Sequence, residues 1–264
     1  MHPFRLATGS IGGLSGRHTF LDPENVLFCR YPRLIGGIAA TLFEGFWIMS
    51  KTEQELREDL VSAYRELAEK GLMDLSTGNI SCRVDDGMLI SCSGASAVNL
   101  TPERVVKVLD DTSYEGEIKP SSEWRMHLGI YQHNEKANAV VHTHSDHCVA
   151  MACNNLPLPG FHYMVGILGG PDIPCVPYAT FGTDELANNA GKALNERAAT
   201  LLGNHGMICR GSNFAGAIFH AELLEILCKH YILARQLGEP DLLTDEQWDE
   251  FFGRAKKVTY TKFI

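Results

Sequence analysis

From residue 51 onward, hydrophobic and polar positions alternate between helical and strand-like periods. In "TEQELREDLVSAYRELAEKGL", Leu56, Leu60, Ala63, Tyr64 and Leu67 share one helical face. Thr52 with Glu55 three residues later predicts a capping box, and Gly71 a C-terminal stop. "NISCRVDDGMLISCSG" reads as a hairpin turning at Asp86-Gly87, and "RVVKVL" as a third short strand. "SSEWRMHLGIYQ" has helical spacing through Trp124, Leu128 and Tyr131. "ANAVVHTH" reads as a strand, and "IPCVPYATFG" contains another. "TDELANNAGKAL" predicts a helix capped by Thr183, and "ATLLGNHGMICRG" two strand pieces around a Gly-rich bend. A long helix over "NFAGAIFHAELLEILCKHYILARQLG" is followed by a second capping box, Thr244 with Gln247. Such a mixture predicts one α/β domain, a central sheet with helices packed around it.

The first 48 residues follow no such pattern. They are rich in Gly, Pro and Arg. Their one apolar stretch, residues 34–48, holds Glu44 and three glycines, and falls short of the ~20 residues a membrane-spanning helix needs. A secretory signal is not expected, for want of a small-residue cleavage site and an early start. The expected organisation is a leader over residues 1–48, disordered or not native, and one domain over 49–264. Met49 stands directly before the first well-formed helix.

Composition narrows the function classes. The formal charge is −9 and no Lys/Arg-rich run occurs, so nucleic acid is not an expected partner. Any anionic substrate must be met by local chemistry. Eight cysteines occur at irregular spacing, without a C-x-x-C pair, and most sit among apolar residues. That usage predicts reduced, buried thiols and a cytoplasmic setting.

Candidate chemistry centres on "AVVHTHSDH". His142 and His144 stand at i and i+2, which on a strand puts both imidazoles on one face, where they can share a metal or form a structural pair. His205, in "GNHGM", is either a loop residue or a third ligand, exposed by its flanking glycines. Three ligands plus a variable position would make an open catalytic site. His147, one helical turn after His144, suits packing or support, and His162 an ordinary polar contact. His127, His220 and His230 fall on helices, as partly buried side chains. Glu123 starts a helix, where a carboxylate is either a dipole partner or a catalytic group. Ser121 and Ser122 before it could cap that helix or bind an anion with its N–H groups. "STGNIS" and "SCSGAS" are short Gly/Ser loops at strand ends, of a kind that cradles phosphate through backbone amides.

Together "STGNIS", "SCSG", "PSSEWRMHLGIYQ", "NAVVHTHSDHC", "HYM", "IPCVPYATFGT" and "ATLLGNHG" resemble the class II aldolase/adducin family, in order and from about residue 53 to the C-terminus. The resemblance implies a single domain with a mainly antiparallel sheet flanked by helices. It implies Zn2+ held by His142, His144 and His205, with Glu123 first a ligand and then the acid/base. Gly78, Asn79, Ser93, Gly94, Ser121 and Ser122 match the family's phosphate-binding loops. Tyr163 matches a tyrosine that protonates the aldehyde oxygen from a neighbouring subunit of a homotetramer, and Tyr260 a mobile C-terminal tyrosine. The implied reaction cleaves a deoxyketose 1-phosphate, with L-fuculose 1-phosphate the expected substrate, to dihydroxyacetone phosphate and L-lactaldehyde. The aldehyde pocket is expected to be lined by Phe161, Tyr163, Met164, Tyr260 and Phe263.

Two other readings compete. Pentulose-5-phosphate 4-epimerases of the same family use similar chemistry but carry Asp where this chain has Glu123. Adducin-like interaction modules lack the zinc histidines, all three of which are present here.

Overall fold

In the computed structural model, the described residues are 51–257. The leader expected over residues 1–48, and Tyr260 and Phe263, lie outside them. Among the described residues seven strands make one sheet: β1 Asn79–Val84, β2 Gly87–Ile90, β3 Val106–Leu109, β4 Ala139–Thr143, β5 Cys175–Val176, β6 Ala199–Leu202 and β7 Gly206–Gly211. Their spatial order is β3-β2-β1-β4-β7-β6-β5. Every neighbouring pair is antiparallel except β5–β6, which is parallel. The expected α/β class and mainly antiparallel sheet are therefore the observed ones.

Helix α1, Glu53–Glu69, begins at the expected capping box: the Thr52 side chain accepts from the Glu55 N–H while Glu55 accepts from the Thr52 N–H. It buries Leu60, Val61, Ala63, Tyr64 and Leu67. Each large apolar side chain so buried contributes about 1.5–3 kcal/mol. The Tyr64 hydroxyl donates to the Ala95 carbonyl at 3.0 Å, which ties the loop after β2 to the helix. Helices α2 (Trp124–His133) and α4 (Asp184–Glu196) pack as a pair. Helix α5, Phe214–Leu237, lies across β4, β6 and β7, with α1 and α3 (Asp146–Cys153) beside it. The second expected capping box, Thr244 with Gln247, opens α6, Asp245–Ala255.

The hairpin turns one residue earlier than the pattern predicts. Val84 pairs with Gly87, so Asp85 and Asp86 make the turn and Gly87 opens β2. Gly87 pairs with Leu109 of β3 as well as with Val84, which draws it out of the turn and into the strand. Gly87 has φ of 153°, and a Cβ there would lie 2.1 Å from the Val108 carbonyl oxygen. No side chain fits at this position.

Gly87→Ala should accordingly destabilise the protein by about 2 kcal/mol or more, because backbone and not a pliable side chain would have to move. Urea unfolding of the variant checks this, and unchanged stability would show that β2 and β3 separate freely.

Candidate metal centre

β4 is the strand on which the site is built. It is hydrogen-bonded to β1 on one side and β7 on the other, with His142 level with Asn79 of β1 and Ile208 of β7. His142 is fully buried. Its Nδ1 donates to the Met207 carbonyl at 2.8 Å, which leaves the lone pair of Nε2 facing away from β7. That Nε2 lies 3.0 Å from His144 Nε2 and 3.1 Å from Glu123 Oε2. His205 sits in the bend between β6 and β7, its Nε2 3.1 Å from Glu123 Oε1. The three imidazole centroids form a triangle with sides of 4.8, 4.8 and 5.0 Å.

Glu123 is not in the first turn of α2, where the sequence suggests it. It is the N-cap residue, with φ −103° and ψ 15°, and its side chain does not cap the helix. The carboxylate turns instead into the imidazole triangle. Burial alone would raise its pKa. The imidazoles of His142 and His205 beside it outweigh that effect and hold it well below the usual carboxylate range. Burial, reinforced by His142 and His205, pushes His144 down to about 4, so its ring is neutral near pH 7.

This donor set fits a divalent cation. One donor atom from each of Glu123, His142, His144 and His205 lies within 4.8 Å of the others. Tetrahedral zinc with bonds of about 2.0–2.2 Å needs donors about 3.4 Å apart. Glu123 Oε1 is buried and, among the described residues, makes no hydrogen bond of normal geometry. A lone pair on His142 Nε2 facing a carboxylate oxygen at 3.1 Å is repulsive unless a proton or a cation lies between them. Neutral nitrogens with a single carboxylate suit a borderline-soft dication.

His147 supports the turn that carries His144. Its Nδ1 lies 2.6 Å from Glu225 Oε1, and Glu225 also accepts the N–H groups of His147 and Cys148, which satisfies the N-terminus of α3. His162 makes a polar contact, Nδ1 accepting from the Met164 N–H. His127 departs from expectation: it is fully buried, because β1 and α2 close over it. His220 is buried too, and His230 is exposed.

A cavity of about 380 Å3 opens beside the four donors. Residues 76–79, 92–95 and 121–123, with His144, His205 and Phe181, line it. All six residues matched to phosphate loops are among them. Their convergence has a backbone cause. Ser93 donates to the Lys119 carbonyl and Ser121 to the Ser91 carbonyl, which ties the second loop to the third. Gly78 brings the first loop against β4: it has φ of +83°, and a Cβ would lie 2.7 Å from the His142 carbonyl oxygen.

Tyr163 is not in this cavity. It is half exposed, opens a 3-10 turn, Tyr163–Leu168, and lines a separate apolar groove with Met164, Phe219 and Leu223. Phe161 packs on Tyr231 instead of lining the cavity. Within one chain the structure therefore does not bring Tyr163, Phe161 or Met164 to the donor cluster. Phe181, exposed at the cavity mouth, is a lining residue that sequence reading missed. Its only signal was its place in "ATFGT", between a strand and a helix cap.

Comparison with known proteins gives a consistent picture. Residues 58–232 match the class II aldolase and adducin N-terminal domain. An L-fuculose phosphate aldolase of Escherichia coli O6:H1 is 40% identical over 194 residues, 73% of this chain and 90% of that protein. A 5-methylthioribulose-1-phosphate/5-deoxyribulose-1-phosphate aldolase of Rhodospirillum rubrum is 40% identical over 201 residues, 76% of this chain and 91% of that protein. A solved L-fuculose 1-phosphate aldolase superposes with a TM-score of 0.73 at 35% identity, covering 76% of this chain and 96% of that one. With this match, these relatives, its sheet order and its Glu-His-His-His cluster, the chain belongs to the class II aldolase and adducin family.

Proposed function

We propose that the chain is a zinc-dependent aldehyde-lyase that cleaves a deoxyketose 1-phosphate, L-fuculose 1-phosphate first among them, to dihydroxyacetone phosphate and L-lactaldehyde. The observation that carries this reading is the position of Glu123. Its two oxygens face His142 and His205 separately, while its backbone borders the Ser/Gly loops. A carboxylate so placed can be a metal ligand and a proton carrier in turn.

On this reading His142, His144, His205 and Glu123 hold the cation. The metal, when bound, supplies Lewis-acid stabilisation of the negative charge that C3–C4 cleavage leaves on the ketose oxygens. Gly78, Asn79, Ser93, Gly94, Ser121 and Ser122 hold the phosphate through backbone and hydroxyl donors, so an acidic chain needs no basic patch for its substrate. Glu123 moves the proton at the carbon that loses its bond to the aldehyde. Tyr163 of a neighbouring copy would take up the proton that the C4 hydroxyl loses on cleavage, and return it to the aldehyde oxygen in the reverse, condensation direction, in keeping with its exposure and its distance from its own cavity. Tyr260 is assigned near the site on family resemblance alone. Assembly as a homotetramer and a cytoplasmic location belong to the same reading. Among the described residues no helix is long and apolar enough to cross a membrane.

A second substrate stands close to the first. The relative named for 5-methylthioribulose 1-phosphate and 5-deoxyribulose 1-phosphate matches as closely as the one named for L-fuculose phosphate. Both substrate types share the 1-phosphate end and differ in the aldehyde released. Phe181, apolar and at the cavity mouth, favours a methyl-ended aldehyde. A pocket of this kind separates substrates differing by one methylene by only ~1–3 kcal/mol.

Glu123→Gln should keep zinc through the three imidazoles and lose roughly 10²–10⁴-fold in rate, the usual worth of a positioned acid/base. Wild-type turnover of the zinc-loaded variant would remove that role. For the substrate, kcat/KM should be measured side by side for L-fuculose 1-phosphate, 5-deoxyribulose 1-phosphate and L-ribulose 5-phosphate. Cleavage of the two 1-phosphates is expected, L-fuculose 1-phosphate the faster. Epimerisation of the 5-phosphate ahead of either cleavage would overturn the aldolase reading.

A further inference from the structure

Five buried side chains run in an unbroken line from helix α2 to Glu123. The Tyr131 hydroxyl lies 2.7 Å from Ser81 Oγ, and Ser81 Oγ 2.7 Å from His127 Nδ1. His127 Nε2 lies 2.5 Å from Asn79 Oδ1, and Asn79 Nδ2 donates to Glu123 Oε2 at 3.0 Å. Sequence spacing builds this line. Asn79 and Ser81 stand at i and i+2 on β1, hence on one face of the strand. His127 and Tyr131 stand at i and i+4 on α2, hence on one face of the helix. The two faces meet.

One end of the line dictates all its proton positions. An ionised carboxylate only accepts, so Asn79 must turn its NH2 towards Glu123 and its carbonyl towards His127. His127 Nε2 must then carry the proton, and Nδ1 must be bare. Ser81 gives its single proton to Nδ1, and Tyr131 gives its own to Ser81. Every donor points towards Glu123. Burial, with His142 acting the same way, pushes the His127 imidazole down to about 3, against the opposing pull of Glu123, so the ring is neutral near pH 7. An asparagine amide has nearly the same shape in both orientations. Packing therefore does not choose between them; the carboxylate at one end and the N–H of His127 at the other do, and without that N–H only the carboxylate's own pull would remain.

We propose that His127, locked by Ser81 and Tyr131, is a positioning residue that fixes the Asn79 amide and thereby holds Glu123 Oε2 in the donor cluster. The proposal rests on the reading of Glu123 as a ligand and acid/base. Supporting residues behind metal ligands are typically worth 10–100-fold in metal affinity or activity.

The test compares His127→Phe, which keeps a ring of similar size without its nitrogens, with His127→Gln, whose amide can still donate to Asn79. Cobalt(II) is titrated into the metal-free full chain and followed by its visible absorption, and kcat and KM are measured on zinc-loaded protein. His127→Phe should weaken cobalt binding and lower kcat by about tenfold each, with KM within about twofold. His127→Gln should restore both to within about threefold of wild type. Wild-type cobalt affinity in His127→Phe would overturn the proposal, as would equal losses in both variants, which would mean that the ring only fills space. Should His127→Phe not fold, Tyr131→Phe removes the outermost donor, and a cobalt affinity unchanged in it is equally contrary. If the wild type cleaves no ketose phosphate, the substrate reading fails, and the cobalt comparison still decides the positioning role.

Discussion

The register of β4 between β1 and β7 is the constraint on which the rest of the site depends. His142 is level with Asn79 on one neighbour and Ile208 on the other. A slip of one residue would exchange the faces of β4 and carry His142 away from Glu123, while Asn79 stayed in place on β1. The register is held from both sides by buried apolar residues, Val140 and Val141 on β4 with Ile80 and Cys209 beside them. The core thus serves the chemistry directly. It fixes one imidazole by its backbone position, and the Met207 carbonyl fixes which nitrogen that imidazole offers.

Electrostatics make the cluster a cation site and not a salt bridge. Buried charges are costly unless paired, and here one carboxylate faces three imidazoles, among which burial favours the neutral form of His144. Imidazoles acting as metal ligands are neutral, so three of them with one carboxylate carry a charge of −1, which a dication turns to +1. That reversal places positive charge beside loops that offer hydroxyl and amide donors. A protein of formal charge −9 can in this way receive a phosphate ester.

Much of this was legible in the sequence because it rests on local rules. Both capping boxes, the H-x-H on a strand and the Gly-flanked His205 are short-range signals, and the helices and strands they mark are the observed ones. What escaped depends on contacts across elements. The turn at Asp85–Asp86 is set by the pairing of Gly87 with Val84 on one side and Leu109 on the other. The turning of Glu123 out of its helix is set by the imidazoles opposite, and the full burial of His127 by the meeting of β1 with α2. Tyr163 shows another limit: its resemblance points to a site that its own chain does not form around it.

The most direct test is X-ray absorption at the zinc edge on zinc-loaded protein, with the wild type and His205→Ala compared. The expected result is about one zinc per chain, bound by three nitrogens at about 2.0–2.1 Å and an oxygen at about 2.0–2.2 Å, and loss of one nitrogen in His205→Ala. A sulfur ligand at about 2.3 Å from any of the eight cysteines, or a spectrum unaltered in His205→Ala, would contradict it.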